Sequence, residues 1–267
     1  MNSSPIESLN EIPERDSATV EQFRNHIVPA GRPVVLRGIA RDWPLVAWSR
    51  DAHECMAMLA AHSTAVEADV LRAHPDEEGR FHYSPDGQSL NFVRGRGNLA
   101  GLLAGLREQE SAEKPYAMVA QGLIAERHVP GFRESHRMPL VPESAEPRLW
   151  IGNRATVATH NDPVDNLAVV VAGRRRFTLF PPEAEADLYM GPDHPTPAGT
   201  PISMVHVSAP DFDRFPRFAT ALESAEEAEL APGDAVFIPR DWFHHVEALE
   251  RFNVLVNYWW DSRKEGA

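Results

Sequence analysis

The fold of this chain is decided by the stretch Thr159-His160-Asn161-Asp162 and by the distant stretch Asp241-Trp242-Phe243-His244-His245-Val246. On an extended strand, residues two positions apart point to the same face, so His160 and Asp162 can converge on one ion. A histidine from the second stretch would complete a set of two imidazoles and one carboxylate. The two stretches are far apart in the chain, so the fold would have to bring them together to build this site.

Two histidines and one carboxylate leave coordination positions open on a metal, which is typical of non-haem Fe(II) centres. The pattern of His160 and Asp162 alone is weak, since a polar turn would produce it as well. The second stretch strengthens it, because the turn Pro232-Gly233-Asp234 and the apolar strand Ala235–Ile238 lead directly to the paired histidines. We therefore predict a metal site formed by His160, Asp162 and one of those histidines.

After Pro147 the chain reads as short strands separated by Gly, Pro and Asp turns, a pattern typical of a β-sandwich or barrel. The predicted strands are Leu149–Ile151, Val157–His160, Leu167–Val171, Arg174–Phe180, Met204–Val207, Ala235–Ile238, His244–Leu249 and Asn253–Trp260. Eight strands suit a double-stranded β-helix, or jelly roll. We expect a mainly β protein with flanking helices.

We expect one structural unit with three parts. Residues 1–16 are predicted to form a flexible N-terminus, residues 17–148 an N-terminal α/β flanking region, and residues 149–267 the β core with a helical insert at about 184–230. The Pro-rich segment Val129–Pro147 connects the flanking region to the core. The predicted N-cap residues of helices in the flanking region are Thr19, Asp51 and Asn98.

Strand alternation selects between the paired histidines, because only one of two adjacent residues faces the interior of a sheet protein. If His244 faces inward, so do Val246 and Ala248, whereas the other register would bury Glu247 beside His245. We therefore choose His244 as the metal ligand. His245 is expected to be exposed or to lie behind the ligands.

Alternation also separates the three arginines that follow Gly173. Arg175 shares a face with Phe177 and Leu179 and is therefore predicted to point inward, where a guanidinium needs an anionic partner. A fixed dicarboxylate would supply one. The alternative is a salt bridge to an acidic residue of the chain itself.

Composition excludes several classes of protein. The formal net charge of −13 at pH 7 argues against a nucleic-acid-binding surface. A single cysteine, Cys55, rules out an intrachain disulfide and a cysteine-rich zinc site, and we expect it to be a structural thiol. The sequence shows neither a secretory leader nor a bilayer-spanning apolar run. The expectation is a cytoplasmic protein with no nucleic-acid partner and no membrane partner.

Similarity to a known family is carried by Thr159–Pro182, Pro239–Val246 and Val256–Trp260. Together these stretches resemble the cupin-like JmjC oxygenases, and Ala209–Phe218 resembles an insert of the asparaginyl hydroxylases that act on hypoxia-inducible factor. Detailed similarity covers about residues 150–260. A looser match extends over Pro33–Trp48 and Tyr116–Leu123. The resemblance implies the cupin form of the double-stranded β-helix.

The resemblance also implies an Fe(II) ion held by His160, Asp162 and His244, with 2-oxoglutarate as cosubstrate. Arg175 stands where the family usually has a lysine that binds the distal carboxylate of 2-oxoglutarate. The remaining cosubstrate contacts match at Tyr116, Asn166 and Asn257.

The sequence departs from the family pattern in three places. Arginine at position 175 keeps the charge but is longer than lysine. The family's hydroxyl residue three positions before His160 is Val157 here, and Thr156, which shares the inward face of His160 by alternation, is expected to replace it. The sequence ends shortly after Trp260, where the resembled hydroxylase has helices that form its dimer. Dimerisation by that route is not expected, and another homodimer is left open.

The activity that the resemblance implies is hydroxylation of a C–H bond with Fe(II), 2-oxoglutarate and O2, and a protein side chain is one candidate substrate. Two alternatives remain open. One is hydroxylation of a small molecule, and the other is a metal-binding cupin without turnover that serves as a sensor or interaction module. Lysine demethylation ranks lower, because the sequence shows no methyl-lysine cage.

Overall fold

Two β-sheets face each other across a shared apolar core, and helices cover the outer face of the larger sheet. The computed structural model describes residues 9–85, 87, 89–193, 196 and 199–264 of the 267-residue chain. Within these residues the predicted mainly β fold with flanking helices is confirmed.

The strands are numbered in chain order. They are β1 Asn10–Glu11, β2 Glu14–Arg15, β3 Val34–Leu36, β4 Glu67–Ala73, β5 Arg80–Phe81, β6 Phe92–Asn98, β7 Ala117–Ile124, β8 Arg148–Gly152, β9 Ala155–Asn161, β10 Asp165–Ala172, β11 Arg175–Phe180, β12 Glu226–Leu230, β13 Ala235–Ile238, β14 Phe243–Ala248 and β15 Asn253–Trp260. The six-stranded sheet has the order β1-β12-β11-β14-β9-β5. The nine-stranded sheet has the order β2-β3-β13-β10-β15-β8-β7-β4-β6.

The helical segments are short. They are α1 Val20–Gln22, a π-helical turn at Phe23–Ile27, α2 Val28–Ala30, α3 Pro44–Trp48, α4 Ala52–His62, α5 Leu99–Gln109, α6 Ala125–His128, α7 Phe132–Ser135 and α8 Phe218–Glu223, with 3₁₀ turns at Pro75–Glu77, Pro182–Asp187 and Ser262–Lys264. In the part of the chain that the structure describes, none of them has the length and apolar character needed to cross a bilayer.

The predicted helix caps are confirmed. The Thr19 hydroxyl accepts a hydrogen bond from the Gln22 N–H at 3.1 Å, and the Gln22 side chain accepts one from the Thr19 N–H at 3.0 Å. Asp51 accepts hydrogen bonds at the start of α4, and Asn98 accepts one at the start of α5. Each cap satisfies backbone donors that a helix leaves free at its N-terminus.

The core lies between the two sheets. Strand alternation points Phe177 and Leu179 of β11 toward Val170, Val236 and other apolar residues of the larger sheet. On the outer face of the larger sheet, the ring of Phe237 packs against Phe23 at 5.5 Å between ring centroids and against Trp260 at 6.0 Å. Apolar contacts therefore cover both faces of the nine-stranded sheet.

A turn at Gly173 connects the two sheets and sets the register of Arg175. Gly173 has a φ of +71°, and a Cβ at this position would come within 2.3 Å of the Asn253 side-chain oxygen. A larger residue would have to adopt a left-handed backbone and push this contact apart. The glycine therefore allows β10 to pass directly into β11.

Most strand predictions are confirmed, and Ala235–Ile238 and Asn253–Trp260 agree in both bounds. The predicted strand Met204–Val207 is wrong, because only an isolated bridge between Met190 and Ser203 forms there. Val205 and Val207 pack in a loop against Phe218 and its apolar neighbours instead.

The predicted insert at 184–230 includes a strand that the sequence analysis missed, and four of its residues, 194, 195, 197 and 198, lie outside the described residues. Residues Glu226–Leu230 form β12, with Ala228 and Leu230 facing the core. The acidic residues Glu227 and Glu229, which obscured this pattern, point outward, and Glu229 pairs with Arg174 at 2.6 Å. Within its described residues, the insert contains one α-helix, α8, and a 3₁₀ turn before this strand.

The expectation of a flexible segment up to residue 16 is wrong for residues 9–16. Strand β1 pairs with β12, and β2 pairs with β3. Between them Ile12 is only 1% exposed in the core, which anchors this polar segment. Residues 1–8 lie outside the described residues.

Replacing Phe237 by alanine is predicted to destabilise the protein by about 3–5 kcal/mol, because a fully buried ring that packs between Phe23 and Trp260 leaves a cavity. Chemical denaturation measures this change. The control is Val93→Ala, at a residue that is 65% exposed, which we expect to change stability by less than about 0.5 kcal/mol. Equal effects of the two substitutions would contradict the described packing.

His136 makes stability depend on pH. Its ring stacks on Phe132 at 4.2 Å, and its Nε2 accepts a hydrogen bond from the Leu45 N–H at 3.2 Å, which requires a neutral ring. Burial lowers the pKa of His136 from 6.5 to about 4. Between these values the unfolded chain binds more protons, so the free energy of unfolding falls as pH falls from 6.5 toward about 4.

The variant His136→Gln is predicted to lose less stability than the parent over this pH range, because glutamine can accept the Leu45 hydrogen bond without titrating. Denaturant unfolding at a series of pH values measures the difference. If both proteins lose stability in parallel, His136 does not contribute to the acid sensitivity.

Candidate metal centre

Antiparallel pairing of β9 with β14 places His160 directly opposite His244. Their ring centroids are 4.2 Å apart, and Asp162 follows at the end of β9 with its Oδ2 3.7 Å from His244 Nε2. One ligand atom from each of the three residues lies within 4.8 Å of the others. The structure thus brings together the three residues predicted as metal ligands, with His244 as the inward member of the histidine pair.

A β-bulge lies immediately before His160. His244 pairs with His160, but Val246 pairs with Val157, so β9 has one residue more than β14 over this interval. The extra residue reverses the alternation, and Val157 faces inward while Thr156 pairs with Glu247 on the outer face. The prediction that Thr156 shares the inward face of His160 is therefore wrong.

Backbone carbonyls fix the orientation of both imidazoles. His160 Nδ1 lies 2.9 Å from the Ala158 carbonyl oxygen, and His244 Nδ1 lies 3.3 Å from the Trp242 carbonyl oxygen. A carbonyl oxygen can only accept a hydrogen bond, so each Nδ1 carries the proton and each Nε2 has a free lone pair. This tautomer is the one that a histidine ligand of a metal requires.

Two further contacts hold Asp162. Its Oδ2 accepts a hydrogen bond from Trp259 Nε1 at 3.1 Å, and its backbone carbonyl accepts one from the Asp241 N–H at 3.0 Å. Asp241 adopts a left-handed backbone with a φ of +67°, which is uncommon for a residue other than glycine. Trp259 therefore orients the carboxylate of Asp162, and Asp241 fixes its backbone.

The environment keeps His244 neutral. Burial, and next the neighbouring His160, lower the pKa of His244 to about 4, although Asp162 opposes the shift. A neutral imidazole is the form that binds a metal ion. The donor set of two imidazoles and one carboxylate fits Fe(II) and leaves positions open for other ligands.

Arg175 points into the same interior, as alternation predicted. It is only 6% exposed, and its Nε has no hydrogen-bond partner. Burial alone lowers the pKa of Arg175 to about 10, and no acidic residue among those described counteracts this shift. The alternative of an internal salt bridge is therefore excluded for the described residues, and the guanidinium is left without an anion.

Asn166 of β10 and Asn257 of β15 meet on the inward face of the larger sheet. Asn257 Nδ2 donates a hydrogen bond to Asn166 Oδ1 at 2.8 Å, and both residues are at least 95% buried. The remaining side-chain amide groups of the pair face the barrel interior and can form further hydrogen bonds, as expected for polar contacts to a bound molecule.

Tyr116 lies elsewhere, so its predicted contact with the cosubstrate is wrong. Its ring packs under the Arg72 guanidinium at 3.8 Å and against His74 at 5.5 Å, on the outer face of β4. The next residue, Ala117, faces the interior with Phe81. The tyrosine therefore has the opposite orientation from the one that the contact requires.

His245 faces away from the metal ligands, as alternation predicted, but it is not exposed. It is 3% exposed, and its Nε2 lies 3.7 Å from Glu247 Oε1. His245 lies on the outer face of the six-stranded sheet, which the insert covers. Strand alternation predicted that His245 faces away from the metal ligands, but the sequence did not predict that the insert covers this face of the sheet.

A cavity of about 500 Å³ opens beside the triad. It is lined by Ser144, Glu146, Arg148, Asp162, Val164 and Trp259. Arg148 was missed by the sequence analysis, although alternation along β8 places it on the same face as Trp150 and opposite Asn257 of β15. This cavity is the approach to Asp162 from outside.

The model of the cupin-like domain family matches residues 20–266, which is nearly the whole chain. The chain belongs to the cupin-like JmjC family. The solved structure of E. coli ycfD agrees with this fold, with a TM-score of 0.51 over 92% of this chain and 53% of that chain, at 17% identity.

Two curated relatives illustrate the range of activities in this family. The chain is 28% identical over 279 residues to "Lysine-specific demethylase JMJ31" of Arabidopsis thaliana, covering 92% of this chain and 49% of the relative. It is 37% identical over 275 residues to "tRNA wybutosine-synthesizing protein 5" of Mus musculus, covering 93% of this chain and 77% of the relative. The chain spans about half the length of the first curated relatives it matches. The narrower resemblance to asparaginyl hydroxylases stays a prediction.

The variants Tyr116→Phe and Thr156→Val are predicted to keep the affinity for 2-oxoglutarate within about twofold, because neither hydroxyl faces the interior. Anaerobic calorimetric titration of 2-oxoglutarate into the Mn(II)-loaded proteins measures this. A loss of about tenfold or more in either variant would contradict the described register.

Proposed function

We propose that this chain is an Fe(II)- and 2-oxoglutarate-dependent dioxygenase that hydroxylates a C–H bond. The observation that carries the proposal is the buried guanidinium of Arg175, which has no anionic partner among the residues that the structure describes and faces the same interior as the His160, Asp162 and His244 triad. A mere metal-binding protein has no need of such a group.

The position of Arg175 suits a short dicarboxylate. On β11, Leu179 pairs with His244, and Arg175 lies four residues earlier on the same face. This separation corresponds to about 13 Å along the strand. The Arg175 side chain can extend along the strand toward the metal site. Its guanidinium can then bind one carboxylate of the dicarboxylate through two parallel hydrogen bonds, while the other end of the dicarboxylate reaches the metal.

The residues of the chain have separate tasks in this proposal. His160, Asp162 and His244 would hold the iron, and Arg175 would bind the distal carboxylate of 2-oxoglutarate. Bound iron supplies the redox chemistry that couples decarboxylation of 2-oxoglutarate to hydroxylation by O2. Asn166 and Asn257 would orient the cosubstrate, and Trp259 keeps Asp162 in place through its indole N–H.

A protein side chain is the substrate class that we favour. The relatives' names include both a lysine-specific demethylase and a tRNA-modifying protein, so they do not decide between protein and RNA. The net charge of −13 opposes binding of a polyanion such as RNA. The cavity beside Asp162 carries Glu146 and Arg148, which offer both charges to a polypeptide.

Two other functions are distinguished by their products. A small-molecule hydroxylase would share the same chemistry and differ only in what enters the cavity beside Asp162. A sensor without turnover would bind 2-oxoglutarate tightly and release no succinate in the presence of Fe(II) and O2. The second outcome would contradict the proposal.

The test is succinate formation from 2-oxoglutarate by the Fe(II)-loaded protein in air, which proceeds slowly even without the primary substrate. We expect the parent to form succinate and Asp162→Ala to form none. Arg175→Ala is expected to lower kcat/KM for 2-oxoglutarate by about ten- to a hundredfold, mostly through KM, because a charge-assisted contact is lost.

The matched control is Arg174→Ala. This neighbouring arginine points outward and pairs with Glu229 and Glu250, so its removal should leave turnover unchanged. Arg175→Lys should retain part of the affinity, since the family usually has lysine there. Equal effects at positions 174 and 175 would show that the buried guanidinium does not bind the cosubstrate.

A further inference from the structure

A groove of about 790 Å³ lies at the same end of the barrel as the metal ligands and contains a second buried charge without a full set of partners. Its walls include Arg32, Asp165, Glu226, Arg240, Asp241 and Trp242. Two of these residues also contact the triad, because the Asp241 N–H donates to the Asp162 carbonyl and the Trp242 carbonyl accepts from His244. The groove and the metal site therefore share a wall.

Glu226 is the unusual residue of this groove. It is 6% exposed, and its buried Oε2 has no hydrogen-bond partner in the described part of the chain. Its Oε1 accepts a hydrogen bond from Arg32, whose side chain is 65% exposed. A buried carboxylate is unfavourable unless both oxygens are satisfied, and the exposed Arg32 side chain satisfies only Oε1.

The register of the sheet places Glu226 in line with the iron ligands. Glu226 pairs with Leu179, Leu179 pairs with His244, and His244 pairs with His160. Glu226 shares the inward face of β12 with Ala228 and Leu230. It therefore lies two strands from His244, which corresponds to about 10 Å.

The other acidic groups of the groove are already engaged or exposed. Asp165 accepts hydrogen bonds from the backbone N–H groups of Arg240 and Ser262 at 3.1 and 3.3 Å. The Arg240 guanidinium pairs with Asp261 at 3.2 Å. Glu226 is thus the group of this groove that has an unmet requirement for a cation.

We propose that the groove binds an arginine or lysine side chain of a polypeptide partner, which takes the place of Arg32 on Glu226. A guanidinium is the best fit, because its two parallel N–H groups can satisfy both carboxylate oxygens at once. In the absence of the partner, Arg32 occupies the position on Glu226 that the partner's side chain would take. Residues 1–8 contain no lysine or arginine and offer no side-chain cation of their own.

The partner is a polypeptide in this proposal, because the acidic groove and the chain's charge of −13 repel nucleic acid. Its role as the substrate of the metal site rests on the proposed function. A substrate held at Glu226 about 10 Å from His244 would be positioned for reaction at the iron through a second contact. Binding of the cation itself does not depend on iron.

The experiment measures fluorescence anisotropy of a labelled peptide with three Gly-Ser-Arg repeats, titrated with the protein at about 150 mM salt. The same peptide with citrulline in place of arginine tests the need for charge. Glu226→Gln keeps the shape of the side chain and is expected to weaken binding about tenfold. Glu108→Gln removes the same charge from an exposed helix position and is expected to change it by less than about twofold.

A second pair of variants is expected to change the peptide affinity in the opposite direction. Arg32→Ala frees the Glu226 carboxylate and is expected to tighten peptide binding more than Arg50→Ala, which removes the same charge from another exposed position. This pair is informative even if Glu226→Gln does not fold. Equal affinities within each pair would overturn the proposal in favour of diffuse attraction to an acidic surface.

Two further readouts separate the possible failures. If a labelled single-stranded RNA binds and displaces the peptide, the polypeptide assignment is overturned. Because the peptide titration uses neither iron nor 2-oxoglutarate, failure of the oxygenase assay leaves the groove result standing. Conversely, Glu226→Gln should still convert 2-oxoglutarate to succinate in the uncoupled reaction, so loss of peptide binding alone supports a site for the partner.

Discussion

Cross-strand pairing of His160 with His244 is the contact on which the rest of the site depends. It joins two sequence stretches through the antiparallel ladder between β9 and β14. The backbone carbonyls of these same stretches then select the imidazole tautomer, and Asp241 and Trp259 orient Asp162. A change that slipped this register by one residue would turn both histidines away from each other.

Most side chains between the two sheets are apolar, and the few charged side chains there lie at defined positions. On the inward face of β11, Phe177 lies between Arg175 and Leu179, and Leu179 pairs with His244 of β14. Arg175 has no anionic partner among the described residues. The cross-strand row through Leu179 contains Glu226, His244 and His160. Buried unpaired charges cost several kcal/mol of stability. Such a cost is expected at sites that gain their partner from a ligand.

Alternation with a period of two residues predicted much of the site. It gave the inward direction of His244 and Arg175, since each lies within a regular run of apolar neighbours. It failed at Thr156, because a bulge inserts one residue and no local sequence signal distinguishes a bulged strand from a regular one. Tyr116 failed for a related reason, since its orientation depends on the pairing of β7 with β4 rather than on its own neighbours.

Turn residues and strand spacing predicted the fold class. They did not predict the strands at the edges of the sheets. Strand β12 was hidden because its outward positions are acidic, and Glu229 pairs with Arg174 and Arg176 on the neighbouring segment. Segments β1 and β2 have only two residues each, and their order comes from long-range pairing and from the burial of Ile12. Such contacts depend on parts of the chain that are distant in sequence.

The central claim is that one interior holds both an Fe(II) site and an anchor for a dicarboxylate. Anaerobic addition of 2-oxoglutarate to the Fe(II)-loaded protein, followed by visible absorption, tests it most directly. We predict a weak metal-to-ligand charge-transfer band that is absent in His244→Ala, requires more 2-oxoglutarate in Arg175→Ala and is unchanged in Arg174→Ala. If iron binds and no band forms in the parent, 2-oxoglutarate does not chelate the metal and the account is contradicted.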